Sequence, residues 1–355
     1  MKKFCLILTL IVSIFILFSF SACGYKTVDL TYFNTGVYIA TDKDAEKVKQ
    51  QIKDDLSLIE NLLSITKEDS EISKINRLQV GNNLPISPTT KEVFDISKQA
   101  FSFTDGAFNP AVYPILKLFK LSADTFDPNL ISITPPTTLE IENVKPFTDF
   151  SKINLNDGNI YKEFSDVQID LGGIAKGYAV DKIKTHLEGL DTTSGYISVG
   201  GSSIYVFSTK EDLAIKHPNK SQNIISVDSS FIENSPLSTS GDYQKYYTDF
   251  NDKSIRYSHI IDMDTCLPIT SGMRSVTVIA NGNLSNELKS ASFTDAISTA
   301  LCTMDKQSLI EFTKTKLSGF TVFAIYEKDG VKEIISNCPS NLFEILDTEY
   351  QAVSI

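Results

Sequence analysis

Residues 169–181 read IDLGGIAKGYAVD, and this stretch governs the reading of the sequence on either side of it. An apolar run of strand character (Val167, Ile169, Leu171) carries one acid, Asp170, and stops at Gly172-Gly173. A helix is predicted from Ala175, because Ala179, Ile183 and Leu187 then repeat at helical spacing. Glycines let the backbone come close to a bound group, and a helix start offers unpaired N–H donors and a positive dipole end. Lys176 adds a mobile point charge suited to phosphate. The same residues also suit a plain strand–turn–helix corner with Lys176 in solvent.

Outward from this corner, the 355 residues are 42% apolar and 22% charged, enough to bury a large core. The N-terminus places Lys2 and Lys3 before an apolar run from Phe4 to Phe20, then Ser21-Ala22-Cys23. That order predicts a lipoprotein signal peptide over 1–22 and a mature chain over 23–355. Cys23 would carry the lipid, anchoring the protein to the cell membrane on its extracytoplasmic face. The rival reading is a simple transmembrane anchor, since the run approaches the shortest spanning length. A formal net charge of −11 excludes nucleic acid as a natural partner, because that affinity rests on neutralising phosphates. Cys266, Cys302 and Cys338 match neither a zinc site nor a disulfide framework and read as small buried side chains.

β character is expected near the start, over Val28 to Ala40, before an amphipathic helix from about Asp44 to Leu63. Ser87-Pro88 opens a second helix, and Asn156-Asp157-Gly158 turns a hairpin. Gly200-Gly201 interrupts a β run and suggests a bulge or a ligand against the backbone. Thr239, Ser240 and Gly241 read as a hydroxyl-rich turn, either a capped turn or an anion nest. His259 lies beside Ile260 and Ile261, and Asp295 and Thr299 are four apart on one helix face. Taken singly, these residues have ordinary structural explanations.

Taken together, the strings resemble the FAD:protein FMN transferase family, the ApbE-like flavin transferases. The central stretch is similar to that family's signature. The segment from Leu62 to Asn76 resembles its "S-x-Tyr-x-x-x-Ser-Glu-x-x-x-x-Asn" string, with Thr66 in the aromatic's place; Phe33 or Phe108 would then supply flavin stacking. DGAFNP, from Asp105 to Pro110, is similar to "Gly-Ala-Phe-Asp-Pro", with Asn109 for Asp. SHIIDMDTCLPIT, from Ser258 to Thr270, resembles "His-Ile-Ile-Asp-Pro-x-Thr-Gly-x-Pro", with Met263 for Pro and Cys266 for Gly. SFTDAISTALCTM, from Ser292 to Met304, is similar to "Asp-Ala-x-x-Thr-Ala".

The resemblance implies an α+β fold, one large catalytic unit of two intertwined lobes with mixed sheets and the site between them. It implies transfer of FMN from FAD to a Thr or Ser hydroxyl of an acceptor flavoprotein, with Mg²⁺ as cofactor and AMP released. His259 would be the base, and Asp295, Thr299 and the Gly173 carbonyl the metal ligands. FAD would be held by Ala107, Phe108, Asn109, Asp170, Lys176, Thr239, Ser240 and Gly241. The acceptor expected is an extracytoplasmic electron-transfer protein. Two alternatives stay open, a Mg²⁺-dependent FAD pyrophosphatase releasing FMN and AMP, and a lipoprotein that only stores flavin.

Overall fold

The chain enters the fold through two seven-residue strands, Lys26–Tyr32 and Thr35–Thr41, which pair in antiparallel register. Their turn, Phe33-Asn34, has φ of 53° and 55°, as a tight two-residue hairpin requires. The structure is a computed structural model and describes residues 24–355. The leader and Cys23 lie outside the described residues.

The hairpin forms one edge of a nine-stranded sheet. Next in spatial order come Gly195–Val199, Ser203–Ser208, Ser235–Gly241, Met273–Ile279, Thr321–Lys328, Val331–Ser336 and Gln351–Ser354. Every pairing is antiparallel except the last. Alternate residues serve opposite faces. Tyr205 and Phe207 point to the helical side, whereas Ile204 and Val206 face a small sheet built from Leu213–Lys216, Asn223–Val227 and Phe343–Ile345.

Eight α-helices complete the described fold: α1 (Lys49–Leu63), α2 (Glu71–Arg77), α3 (Pro88–Phe103), α4 (Tyr113–Leu118), α5 (Thr138–Val144), α6 (Ala175–Glu188), α7 (Ala291–Thr303) and α8 (Lys306–Lys316). A short 3₁₀ turn, Ala45–Lys47, precedes α1, so the expected helix starts in two pieces. Ser87 caps α3 by accepting the Thr90 N–H, with Pro88 at the first helical position. A second lobe gathers α4, α5 and the strands Ser132–Ile133, Tyr246–Asp249 and Arg256–Ser258 around Phe119, Tyr247, Ile261 and Cys266. Its residues come from two separated stretches of chain, which is what makes the lobes intertwined.

Two expectations need correction. Residues 167–171 are not a ladder strand, although Val167, Ile169 and Leu171 are fully buried in alternation. A side chain replaces the neighbouring strand: Asn76 Oδ1 accepts the Ile169 N–H at 2.7 Å and Asn76 Nδ2 donates to Ile169 O at 2.9 Å. Gly200-Gly201 is not a bulge but the turn of a hairpin, with φ of 65° and 66°. The three cysteines are free and buried, as expected.

Candidate active site

α6 and α7 lie against each other so closely that a Cβ at Gly177 would stand 2.2 Å from Ala291 O. Each helix also supplies a carboxylate to the other's N-terminus. Asp181 on α6 accepts the Ala291 and Ser292 N–H groups at 2.8 and 2.9 Å. Asp295 on α7 accepts the Gly177 N–H at 3.1 Å. Anions belong at helix starts, so both contacts are favourable. They also overturn one expectation. The start of α6 is not an open set of donors for phosphate, because the protein's own carboxylate takes the Gly177 amide.

Gly177 is in the first turn of α6, where an N–H has no acceptor inside its own helix, and Asp295 supplies one. Gly173 lies just before the N-cap Ile174, and no hydrogen bond of the described residues ends on Gly173 O. Gly173 lies beside α7: a Cβ on it would stand 3.3 Å from both Thr299 Oγ1 and Phe108 Cε2. Thr299 Oγ1 is fixed by Asp295 O at 3.1 Å and Ser240 Oγ at 3.0 Å. A carbonyl, a hydroxyl and a carboxylate thus share one corner. Among the described residues no group of three or more His, Cys, Asp or Glu could hold a metal. A cation here would use mostly neutral oxygens, with water and phosphate completing its shell, the arrangement Mg²⁺ favours.

This corner floors a cavity of about 250 Å³. Ala107, Phe108, Asn109, Asp170, Gly173, Lys176, Thr239, Ser240, Gly241, His259, Asp295 and Thr299 all line it. Both lobes contribute to its walls. Phe108 is a buried wall residue, whereas Thr66 is exposed and does not line this cavity. Lys176 Nζ reaches Gly172 O at 3.2 Å and stands 3.8 Å from Asp295 Oδ2. Asp170 Oδ1 accepts the Gly172 N–H at 2.7 Å. Enclosure pushes its carboxyl above the ordinary range, opposed by that N–H and by Lys245.

Thr239, Ser240 and Gly241 do not form the anion nest. They end the strand Ser235–Gly241, with the Thr239 N–H on Ser202 O and with Ser240 and Gly241 registered opposite Val276 and Ser275. Their hydroxyls work sideways, Thr239 to Thr277 at 2.8 Å and Ser240 to Ser298 at 2.8 Å. Asn109 also turns inward. Its Oδ1 accepts the Ala111 N–H at 2.9 Å and its Nδ2 donates to Thr148 O at 2.8 Å, a donation an aspartate could not make.

In the same cavity, His259 N–H and ring Nδ1 both meet Lys245 O, at 3.1 and 3.2 Å. A carbonyl only accepts, so Nδ1 carries the proton and Nε2 keeps a free lone pair. Enclosure, reinforced by Lys245 and Lys176, pushes the imidazole pKa down to about 4. Asp262 serves its own turn, accepting from Asp264 N–H and Thr265 Oγ1, both at 2.9 Å. Cys266 holds a left-handed φ of 57° there, keeping the backbone shape that glycine would give.

Set beside known proteins, this geometry has a family. The sequence model of the ApbE family matches residues 26–324. The chain belongs to the ApbE family. Among relatives, the FAD:protein FMN transferase of Vibrio cholerae is 26% identical over 301 residues, spanning 83% of this chain and 84% of its own. That of Salmonella typhimurium is 28% identical over 305 residues, spanning 83% and 81%. The flavin transferase ApbE structure from Vibrio cholerae matches the fold with a TM-score of 0.72 at 23% identity, covering 86% of this chain and 95% of its own. The ApbE protein of Thermotoga maritima gives 0.72 at 25% identity, covering 85% and 94%.

Reasoning from sequence missed two residues around this cavity, Asn76 and Lys245. Asn76 clamps the central stretch from 93 residues away, and its only sequence signal was its place at the end of the family string. Lys245 had none, being one lysine beside a turn.

Proposed function

We propose that this protein transfers FMN from FAD to a serine or threonine hydroxyl of an acceptor protein, releasing AMP. The observation that carries the reading is one cavity lined both by an oxygen-rich corner suited to a cation and by a neutral histidine. Asp295, Thr299 and the Gly173 carbonyl would hold Mg²⁺, which when bound supplies charge neutralisation at the pyrophosphate. Lys176 lies at the same corner and would bind phosphate oxygens. Phe108, Ala107 and Asn109 would line the flavin end.

In the reaction the acceptor hydroxyl oxygen bonds to the flavin-side phosphorus. The bond from that phosphorus to the bridging oxygen breaks, and its electrons leave with AMP. The hydroxyl proton passes to His259 Nε2, which is unprotonated at neutral pH. FMN stays on the acceptor through a phosphoester. The leader and Cys23 support a lipid-anchored protein on the extracytoplasmic face, and an electron-transfer protein there as acceptor.

Incubating residues 24–355 with FAD, Mg²⁺ and a candidate flavoprotein domain tests this. Covalent in-gel flavin fluorescence on the acceptor with matching AMP release is expected. AMP and free FMN without a labelled acceptor would indicate hydrolysis instead, and bound FAD without AMP would indicate storage.

A further inference from the structure

The ammonium of Lys245 has no role so far. The residue follows the strand Ser235–Gly241, and its carbonyl orients His259. Its side chain lines the same cavity. Nζ stands 5.0 Å over the Phe126 ring, yet no hydrogen bond or ion pair of the described residues ends on it. Enclosure pushes its pKa below the usual lysine value, opposed in part by Asp170 and Asp124. Asp124 is itself occupied by the Tyr113 hydroxyl at 2.9 Å. A half-buried cation beside a proton acceptor, with no close anionic partner, is expensive unless a ligand supplies the anion.

We infer that Lys245 is a catalytic residue whose ammonium binds the flavin-side phosphate beside His259, in the cavity that Lys176 and the cation corner also line. This rests on the proposed use of FAD. The phosphate would then be held by both ammonium groups while the P–O bond forms and breaks. The same charge keeps His259 unprotonated as the anionic substrate arrives, since a neighbouring dianion would otherwise raise the imidazole pKa. Charged groups bearing on that imidazole are Lys245 and Lys176.

The test compares the unsubstituted protein with Lys245→Met and Lys245→Arg, reading FAD affinity by flavin fluorescence quenching and AMP formation in single turnovers. Lys245→Met should slow AMP formation about 100-fold, weaken FAD binding, and move the acid limb of the rate profile to higher pH. Lys245→Arg should recover most of the rate. His259 ring titration by NMR in the free proteins adds a reading independent of turnover, with a raised pKa expected in Lys245→Met. If Lys245→Met binds FAD and forms AMP at the original rate, the inference is wrong. Slow turnover that Lys245→Arg fails to recover, with FAD affinity and the imidazole titration unmoved, also overturns it. Should the unsubstituted protein form no AMP, the functional proposal fails, while FAD affinity and the His259 titration still judge Lys245.

Discussion

Asp295 takes the Gly177 amide at 3.1 Å, one of the first-turn N–H groups of α6 that has no acceptor inside its own helix. The Gly173 carbonyl, just before the N-cap Ile174, accepts no hydrogen bond among the described residues, so both it and the Asp295 carboxylate stay available to a cation. Asp295→Asn keeps an acceptor for Gly177 but removes the charge. Mg²⁺ affinity, measured by calorimetry, should fall by more than the ~10–100-fold typical of losing a group that only supports a ligand. The helix pair should keep its melting temperature within a few degrees.

The closeness of α6 and α7 carries a second expectation. Gly177→Ala would push a methyl into Ala291 O, a backbone atom with nowhere to yield. Destabilisation of about 3 kcal/mol, the upper part of the range for overpacking, is expected in urea unfolding. Mg²⁺ affinity should fall with it, because Gly173 and Thr299 are then drawn apart.

Asn76 never touches the cavity, yet it holds Ile169 by both backbone groups. Asn76→Ala strands a buried N–H and a buried C=O, and should cost about 3 kcal/mol by equilibrium unfolding. Because Asp170 follows directly, FAD binding should weaken as well. A variant of unchanged stability would show that the clamp is dispensable.

With His259 as the proposed base, the histidine would set the pH dependence. His259 has its pKa pushed down to about 4 by enclosure, Lys245 and Lys176. A base works only when unprotonated, so a lowered pKa shifts the loss of activity to lower pH. The acid limb of kcat/KM should lie near this value rather than at about 6.5, where an ordinary histidine would put it. His259→Ala should retain FAD binding and lose transfer, read as labelled acceptor per bound FAD.

Much of this site was legible in the sequence because its parts lie on short local patterns. The Asp295–Thr299 spacing fixes a shared helix face, and the glycine corner with Lys176 follows from one continuous string. What was not legible depends on residues far apart in the chain. The hydroxyl-rich Thr239–Gly241 segment has turn-like composition, but its fate was decided by partners over Met273–Ile279. The partner of Asp181, the start of α7, lies 110 residues further along the chain. The alternation at Val167, Ile169 and Leu171 reported burial correctly and pairing incorrectly, since burial follows side-chain direction while a ladder needs a neighbouring strand.

The most direct measurement is anomalous diffraction from a crystal of residues 24–355 grown with FAD and Mn²⁺ in place of Mg²⁺. A manganese peak bounded by Asp295, Thr299 and the Gly173 carbonyl, touching the pyrophosphate and with His259 across from it, is the predicted result. A peak elsewhere, or a pyrophosphate bound away from this corner, would contradict the account.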